Sequence, residues 1–149
     1  MVNGLTPEQE GFLTRHRSAA MITVNSLGVA KSARVGVAVV DGQVWSSGTQ
    51  TRVRTGRLRR DPRSSLFVFG GEYGWLALEA TVTILDGPNA AELNLRLFRT
   101  MQGRSDGPLS WFDGELDENA FRAKMIEEQR LIYQFEVRNA YGLVQADDS

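Results

Sequence analysis

Between SARVGVAVV (residues 32–40) and QVWSS (residues 43–47) stand only two residues, Asp41-Gly42. Asp-Gly accepts the positive φ angles that a two-residue link demands, so it folds two flanking strands back as an antiparallel hairpin. The other strand-like segments are joined almost as tightly. SAAMITVNS (Ser18 to Ser26) breaks at Asn25-Ser26-Leu27-Gly28 before the Ser32–Val40 strand. SSLFVFG (Ser64 to Gly70), too apolar for an exposed edge, passes through Gly70-Gly71 into WLALEATVTIL (Trp75 to Leu85). RLIYQFEV (Arg130 to Val137) ends the series ahead of Asn139-Ala140-Tyr141-Gly142. Parallel neighbours need crossovers of about a dozen residues or more, and most of these links are shorter. The expected class is therefore mainly β (α+β): six antiparallel strands in a closed or half-closed barrel, with peripheral helices.

Three helices flank the strands. Thr6-Pro7-Glu8-Gln9-Glu10 carries the signals of a start, with a capping hydroxyl, proline at the first turn and acids at the positive end, and the helix is expected to fade near Arg17. Asn89 stands where it can cap a second helix, whose Leu93, Leu97 and Met101 fall on one face. A Gly/Ser/Pro loop (Gly103 to Pro108) then leads to a helix from about Asp117 to Gln129, with Phe121 and Met125 inward. No repeat or linker divides the chain, so residues 1–149 are read as one domain. No apolar run approaches the roughly 20 residues of a membrane span, and the acidic amino terminus is unlike a signal peptide, so a cytoplasmic protein is expected. With no cysteine and a single histidine, His16, the chain excludes thiolate metal sites, a cysteine nucleophile and a zinc site of several imidazoles.

Six of the fifteen arginines fall in twelve consecutive residues, Arg52, Arg54, Arg57, Arg59, Arg60 and Arg63, although the formal net charge is only −1. Asp61 is the one acid within that segment. A helix capped by Thr51 and stopped by Asp61-Pro62 puts Arg52 and Arg54 in its first turn, where the dipole already disfavours cations. A bound anion reverses that sign: free backbone N–H groups and two guanidinium forks make a phosphate or carboxylate site. Ser46, Ser47, Gly48, Thr49 and Thr51, small and mostly hydroxylated, leave room for it. Arg59, Arg60 and Arg63 are assigned structural or solvent-facing roles. Nucleic acid is disfavoured as the anion, since the chain is net acidic and shows no basic stripe interleaved with aromatics. The phosphate-loop pattern GxxxxGK[ST] is absent.

The segment Arg52, Arg54, Arg57-Leu58-Arg59-Arg60-Asp61-Pro62-Arg63 resembles a motif of the form R-x-[KR]-x-x-N-L-R-R-D-P-R. That motif follows the third strand in the split β-barrel flavin reductase superfamily related to pyridoxamine phosphate oxidase. The likeness is to the actinobacterial branch that uses the deazaflavin coenzyme F420. Gly74-Trp75, the helices carrying Met101 and Phe121, and LIYQFEVRNAYG (residues 131–142) are also similar.

This resemblance implies a homodimer with the cofactor in a groove between subunits, its phosphate against Arg52 and Arg54. It implies a deazaflavin ring over the second strand near Ala33, Val35 and Gly36. The site residues expected to hold the cofactor are thus Arg52, Arg54, Arg57, Ser46, Gly48, Thr49, Ala33, Val35 and Trp75, with no catalytic side chain and no metal. Arg57 stands where the motif has Asn, and an added cation there suits the anionic polyglutamate tail that FMN lacks. Trp75 is read either as a substrate-pocket wall across the dimer interface or as a barrel-end core aromatic; Trp45 and Trp111 are read as packing residues. The implied activity is hydride transfer from the reduced deazaflavin to a small electron-poor substrate such as an enone, quinone or lactone. Two alternatives stay open: an FMN-binding oxidoreductase of the same fold, which Arg34-Val35-Gly36-Val37 faintly resembles, and a non-catalytic protein binding the cofactor or haem.

Overall fold

Asp41 and Gly42 both have positive φ, 47° and 77°, and Val40 pairs directly with Gln43 across them, as the two-residue hairpin requires. The computed structural model describes residues 4–144. In chain order the elements are α1 (Pro7–Arg15), β1 (Ser18–Val24), β2 (Ala30–Gly36), β3 (Ala38–Val40), β4 (Gln43–Thr49), α2 (Val53–Arg60), β5 (Arg63–Gly70), β6 (Gly74–Leu85), α3 (Ala90–Gln102), β7 (Leu109–Trp111), β8 (Gly114–Leu116), α4 (Glu118–Glu127) and β9 (Arg130–Leu143). All strand pairings are antiparallel, and the main sheet runs β2-β1-β5-β6-β9-β4-β3.

This order carries the first correction: the main sheet has seven strands, because the single expected strand Ser32–Val40 is two. β2 and β3 are consecutive in the chain yet lie at opposite ends of the sheet. The chain at Val37 therefore joins both edges, and the sheet rolls into a barrel. At the corner the Val37 amide donates to the Arg17 carbonyl (2.7 Å), and the Ser46 hydroxyl donates to the Gly36 carbonyl (2.7 Å). Val35 and Val37 point into the barrel core, while Ala38 and Val40 are covered from outside by Leu97 of α3 and by Trp45 and Ile132. Residues 37–40 are apolar on both faces, so the shift of the buried positions from Val35 and Val37 to Ala38 and Val40 leaves no mark in the sequence.

Two further boundaries differ. β9 runs through Arg138-Asn139 to Leu143, beyond the expected end at Val137. The 12-residue β6 offers it a partner along that length, with one bulge at Glu79/Ala80, and Asn139 bonds Glu79 across the ladder (3.0 Å). After the loop Gly103–Pro108 the chain forms an unexpected hairpin, β7–β8, whose Trp111 packs on Phe98 and Phe121. α1 ends at Arg15 and begins with the reciprocal Thr6/Gln9 cap. Asn89 occupies the cap position of α3 without a side-chain cap bond. Leu97 is fully buried, and Leu93 and Met101 pack against the same cluster, as their spacing predicts. Trp45 is a packing residue too, its indole N–H donating to Gln134 (3.0 Å). Among the described residues no helix is long and apolar enough to cross a membrane.

Candidate functional site

α2 sits at one end of the barrel, where β4 ends and β9 begins; Thr49 pairs with Arg130 there. The helix starts without either device that normally neutralises a helix amino terminus. Its cap residue is Arg52, not the expected Thr51, and makes no side-chain cap bond; the first turn holds no acid. Thr51 is drawn aside, its hydroxyl 3.3 Å from that of Thr49. The helix stops as expected at Asp61, whose carboxyl is held at about 2 by hydrogen bonds from Arg63.

The six arginines divide cleanly. Arg59 bonds Gln50 and Asp86 (2.8 and 2.9 Å), Arg60 donates to the Val24 carbonyl (2.8 Å), and Arg63 pairs with Asp61 (2.8 Å). Arg52, Arg54 and Arg57, like Arg60, form no ion pair among the described residues, and unlike Arg60 none of them is held there by a backbone carbonyl in a hydrogen bond of normal length. Arg54 is the unusual one. Its Nε is buried without a hydrogen-bond partner, and its guanidinium lies 5.9 Å from the centre of the Tyr133 ring. Desolvation by burial lowers its pKa, and the like charges of Arg52 and Arg130 push the same way, against the Tyr133 contact. A half-buried guanidinium without an acid, beside two others, is an arrangement that an anion relieves.

Arg130 is a member of this group that sequence reasoning missed. Its side chain, 12% exposed, is held by Glu128 (2.8 Å) and rests over Trp111, 5.3 Å from the ring centre. An isolated arginine at a strand start carries no local signal; only the β4–β9 pairing brings it to α2. A groove of about 610 Å³ lies here, lined by Thr49, Thr51, Arg52, Val53 and residues 127–130. Arg57, one turn on from Arg54 and on the same helix side, reaches Thr23 of β1 (3.4 Å), which pairs with Lys31 of β2. Ala33 follows two residues along and lines a second cleft, about 440 Å³, with Ser18, Ala20, Ser32, Arg34 and Phe69. The expected residues Arg52, Arg54, Arg57, Thr49 and Ala33 are thus gathered along one end and one edge of the barrel.

Others are not. The Ser46 side chain is buried and spent on Gly36, and Gly48 faces the barrel interior against Tyr133. Val35 is in the core. Trp75 stacks on Phe67 (5.6 Å) and meets Tyr141 edge-on (6.0 Å). It pairs with Leu143, whereas Leu85 at the far end of β6 pairs with Ile132 beside Arg130. Ten residues of strand, about 30 Å, separate these two ends. Within the chain Trp75 and Arg54 do not meet on one small ligand.

No family model and no curated protein matches the sequence. Solved structures do. A conserved hypothetical protein from Mycobacterium tuberculosis superposes with a TM-score of 0.73 at 18% identity, over 94% of this chain and 85% of that one. An F420 reductase gives 0.64 at 19% identity, over 89% and 94%. A putative pyridoxamine 5'-phosphate oxidase from Lactobacillus delbrueckii gives 0.63 at 13% identity, over 93% and 94%. The fold is the split β-barrel. In this split barrel the barrel closes at Gly36/Ser46, and α2 presents its unpaired arginines beside the β4–β9 end.

Proposed function

We propose that this split barrel binds coenzyme F420 and is an oxidoreductase for small electron-poor acceptors of the enone, quinone or lactone type. The observation that carries the reading is Arg54: buried at its Nε, unpaired, and crowded by Arg52 and Arg130 at an acid-free helix start. That site fits a phosphate group in charge and in donor chemistry. Arg57, half-buried with no carboxylate partner among the described residues, adds a cation on the same helix side, in keeping with a ligand whose anionic character extends beyond one phosphate. Among solved structures of this fold, an F420 reductase supports the choice.

When bound, the reduced deazaflavin supplies the hydride. The chain's own residues bind and orient. Arg52 and Arg54 hold the phosphate, with the N–H groups of the first α2 turn. The small side chains of Ser18, Ala20 and Ser32 leave a floor along β1 and β2 with room for a flat ring.

The outward sheet face carries Phe67, Phe69, Trp75 and Tyr141 in mutual ring contact, with Phe69 70% exposed. A connected exposed aromatic row marks an association surface. We assign it to a second copy of the chain, since an isologous contact sets one aromatic row against its identical mate. Sedimentation equilibrium should then give about twice the 16.5 kDa chain mass; a monomer at all concentrations would remove the dimer from this reading.

The direct test is titration of the purified protein with oxidised F420 and, separately, with FMN at moderate salt, following tryptophan quenching. Tight F420 binding with weaker FMN binding is expected. The reverse preference would make the chain an FMN protein, and binding of neither would overturn the reading.

A further inference from the structure

Gln129 stands one residue past the cap of α4 with φ 54°, a left-handed backbone that glycine adopts freely and glutamine does not. The turn is fixed on both sides: the Gln129 amide donates to the Ile126 carbonyl (3.1 Å), and the Gln129 carbonyl accepts from the Gln50 amide (3.0 Å). The side chain gains nothing in return from the chain itself. It is exposed, makes no hydrogen bond among the described residues, and lines the groove of about 610 Å³ with Thr51, Arg52 and Arg130. Strained backbone of this kind gathers at sites where the side chain serves a ligand.

The chemistry around Gln129 suits a carboxylate. Arg130 directs its Nε and Nη2 to Glu128 (2.9 and 2.8 Å), and its Nη1 lies 3.4 Å from the Ser47 oxygen. Of five guanidinium N–H groups, one on Nη1 and one on Nη2 then remain, the outer fork that meets a carboxylate in two parallel bonds. Glu128 beside the guanidinium and the Trp111 ring 5.3 Å from it hold that fork in place. The two acids of the groove each have a cation: Glu128 has Arg130, and Glu127 has Lys124 (3.6 Å). With its acids matched, the groove accepts a planar monoanion more readily than a second phosphate dianion.

We propose that this groove is a carboxylate subsite beside the start of α2, with Arg130 and Gln129 as its ligand-contacting residues. The Arg130 fork takes the two carboxylate oxygens, and the Gln129 amide N–H donates to one of them. The inference rests on the reading of the α2 start as an anion site. The carboxylate belongs either to the cofactor or to a separate acid, and both sources share this chemistry.

The test uses two variants, Gln129→Gly and the pair Arg130→Met with Glu128→Gln, which removes both charges together. Glutarate and inorganic phosphate are read through the Tm shift, and F420 and FMN through tryptophan quenching. Without ligand, Q129G should melt about 2–4 °C above the wild type, because the left-handed strain is gone. It should nonetheless bind glutarate about tenfold more weakly, the scale of a hydrogen bond to a charged group. The R130M/E128Q pair should lose at least as much, while phosphate changes less than twofold in both. A merely structural Gln129 would lower Tm when replaced, and that result would overturn the proposal. Unchanged glutarate binding, or equal losses of glutarate and phosphate, would also overturn it. If F420 weakens with glutarate and FMN does not, the carboxylate is the cofactor's; if neither weakens, it belongs to a separate acid. Arg54→Met separates the two readings. If R54M binds phosphate as the wild type does, the anion site at α2 falls; if R54M loses phosphate while both groove variants keep glutarate, only the carboxylate subsite falls.

Discussion

Arg54→Met should weaken F420 and phosphate binding by about 1.5–3 kcal/mol, or about 10- to 150-fold, while making the ligand-free protein more stable. The two effects share one cause. The Arg54 Nε is buried without a partner, and its charge is crowded by Arg52 and Arg130, of which only Arg130 has an acid, Glu128, to offset it. Methionine keeps an unbranched side chain of similar reach over Tyr133 and removes the charge and the desolvated donor. Functional sites built on such uncompensated groups commonly gain about 0.5–2 kcal/mol when the group is removed, here about 1–8 °C in Tm. Ligand acts oppositely on the wild type: at a hundred times Kd it adds about 2.7 kcal/mol, so the two melting curves should cross as F420 is added. Differential scanning calorimetry across an F420 series reads both effects together. A variant that melts lower without ligand, or binds as tightly as the parent, would show that Arg54 is a surface arginine with no anion to hold.

The second large effect is expected at a residue that never reaches a ligand. Gly48→Ala places a Cβ inside the Tyr133 ring. The ring has nowhere to go: Tyr133 pairs with Ser46 on β4 and with Ile84 on β6, and its hydroxyl is tied to Thr55. Overpacking of this kind costs typically 1–3 kcal/mol; with ladders on both sides the upper end is expected, about 6–12 °C in Tm. Because the Arg54 guanidinium lies over the displaced ring, phosphate affinity should fall in the same variant, although residue 48 is out of the groove. Gly48→Ala combined with Tyr133→Leu, which trades ring volume for the methyl, should recover most of the stability and none of the affinity. Urea unfolding of the single and double variants checks this; a single variant as stable as the parent would mean that β4 and β9 yield at this point.

The Asp41-Gly42 hairpin, the Thr6 start of α1, the Leu93/Leu97/Met101 face of α3 and the Asp61-Pro62 stop of α2 were legible in the sequence, because each depends on the φ preference, capping chemistry or periodicity of neighbouring residues. So was the excess of positive charge in residues 52–63, since one acid cannot offset six arginines wherever they fold. So was the assignment of Arg59, Arg60 and Arg63 to structural or solvent-facing roles, but their partners were not: Asp86, Gln50 and the Val24 carbonyl come from other elements. Nor was the division of Ser32–Val40 into β2 and β3, because the corner falls in Val37-Ala38-Val39-Val40, where both faces are apolar and the alternation that would mark it is lost. Barrel closure decided the rest. Rolling the sheet at Val37 and laying β9 between β4 and β6 brought Arg130 and Tyr133 to the start of α2, some eighty residues away in the chain. Local chemistry set the elements and the charge; the partners of each buried hydroxyl and guanidinium were chosen by strand pairing, which acts between residues far apart in sequence.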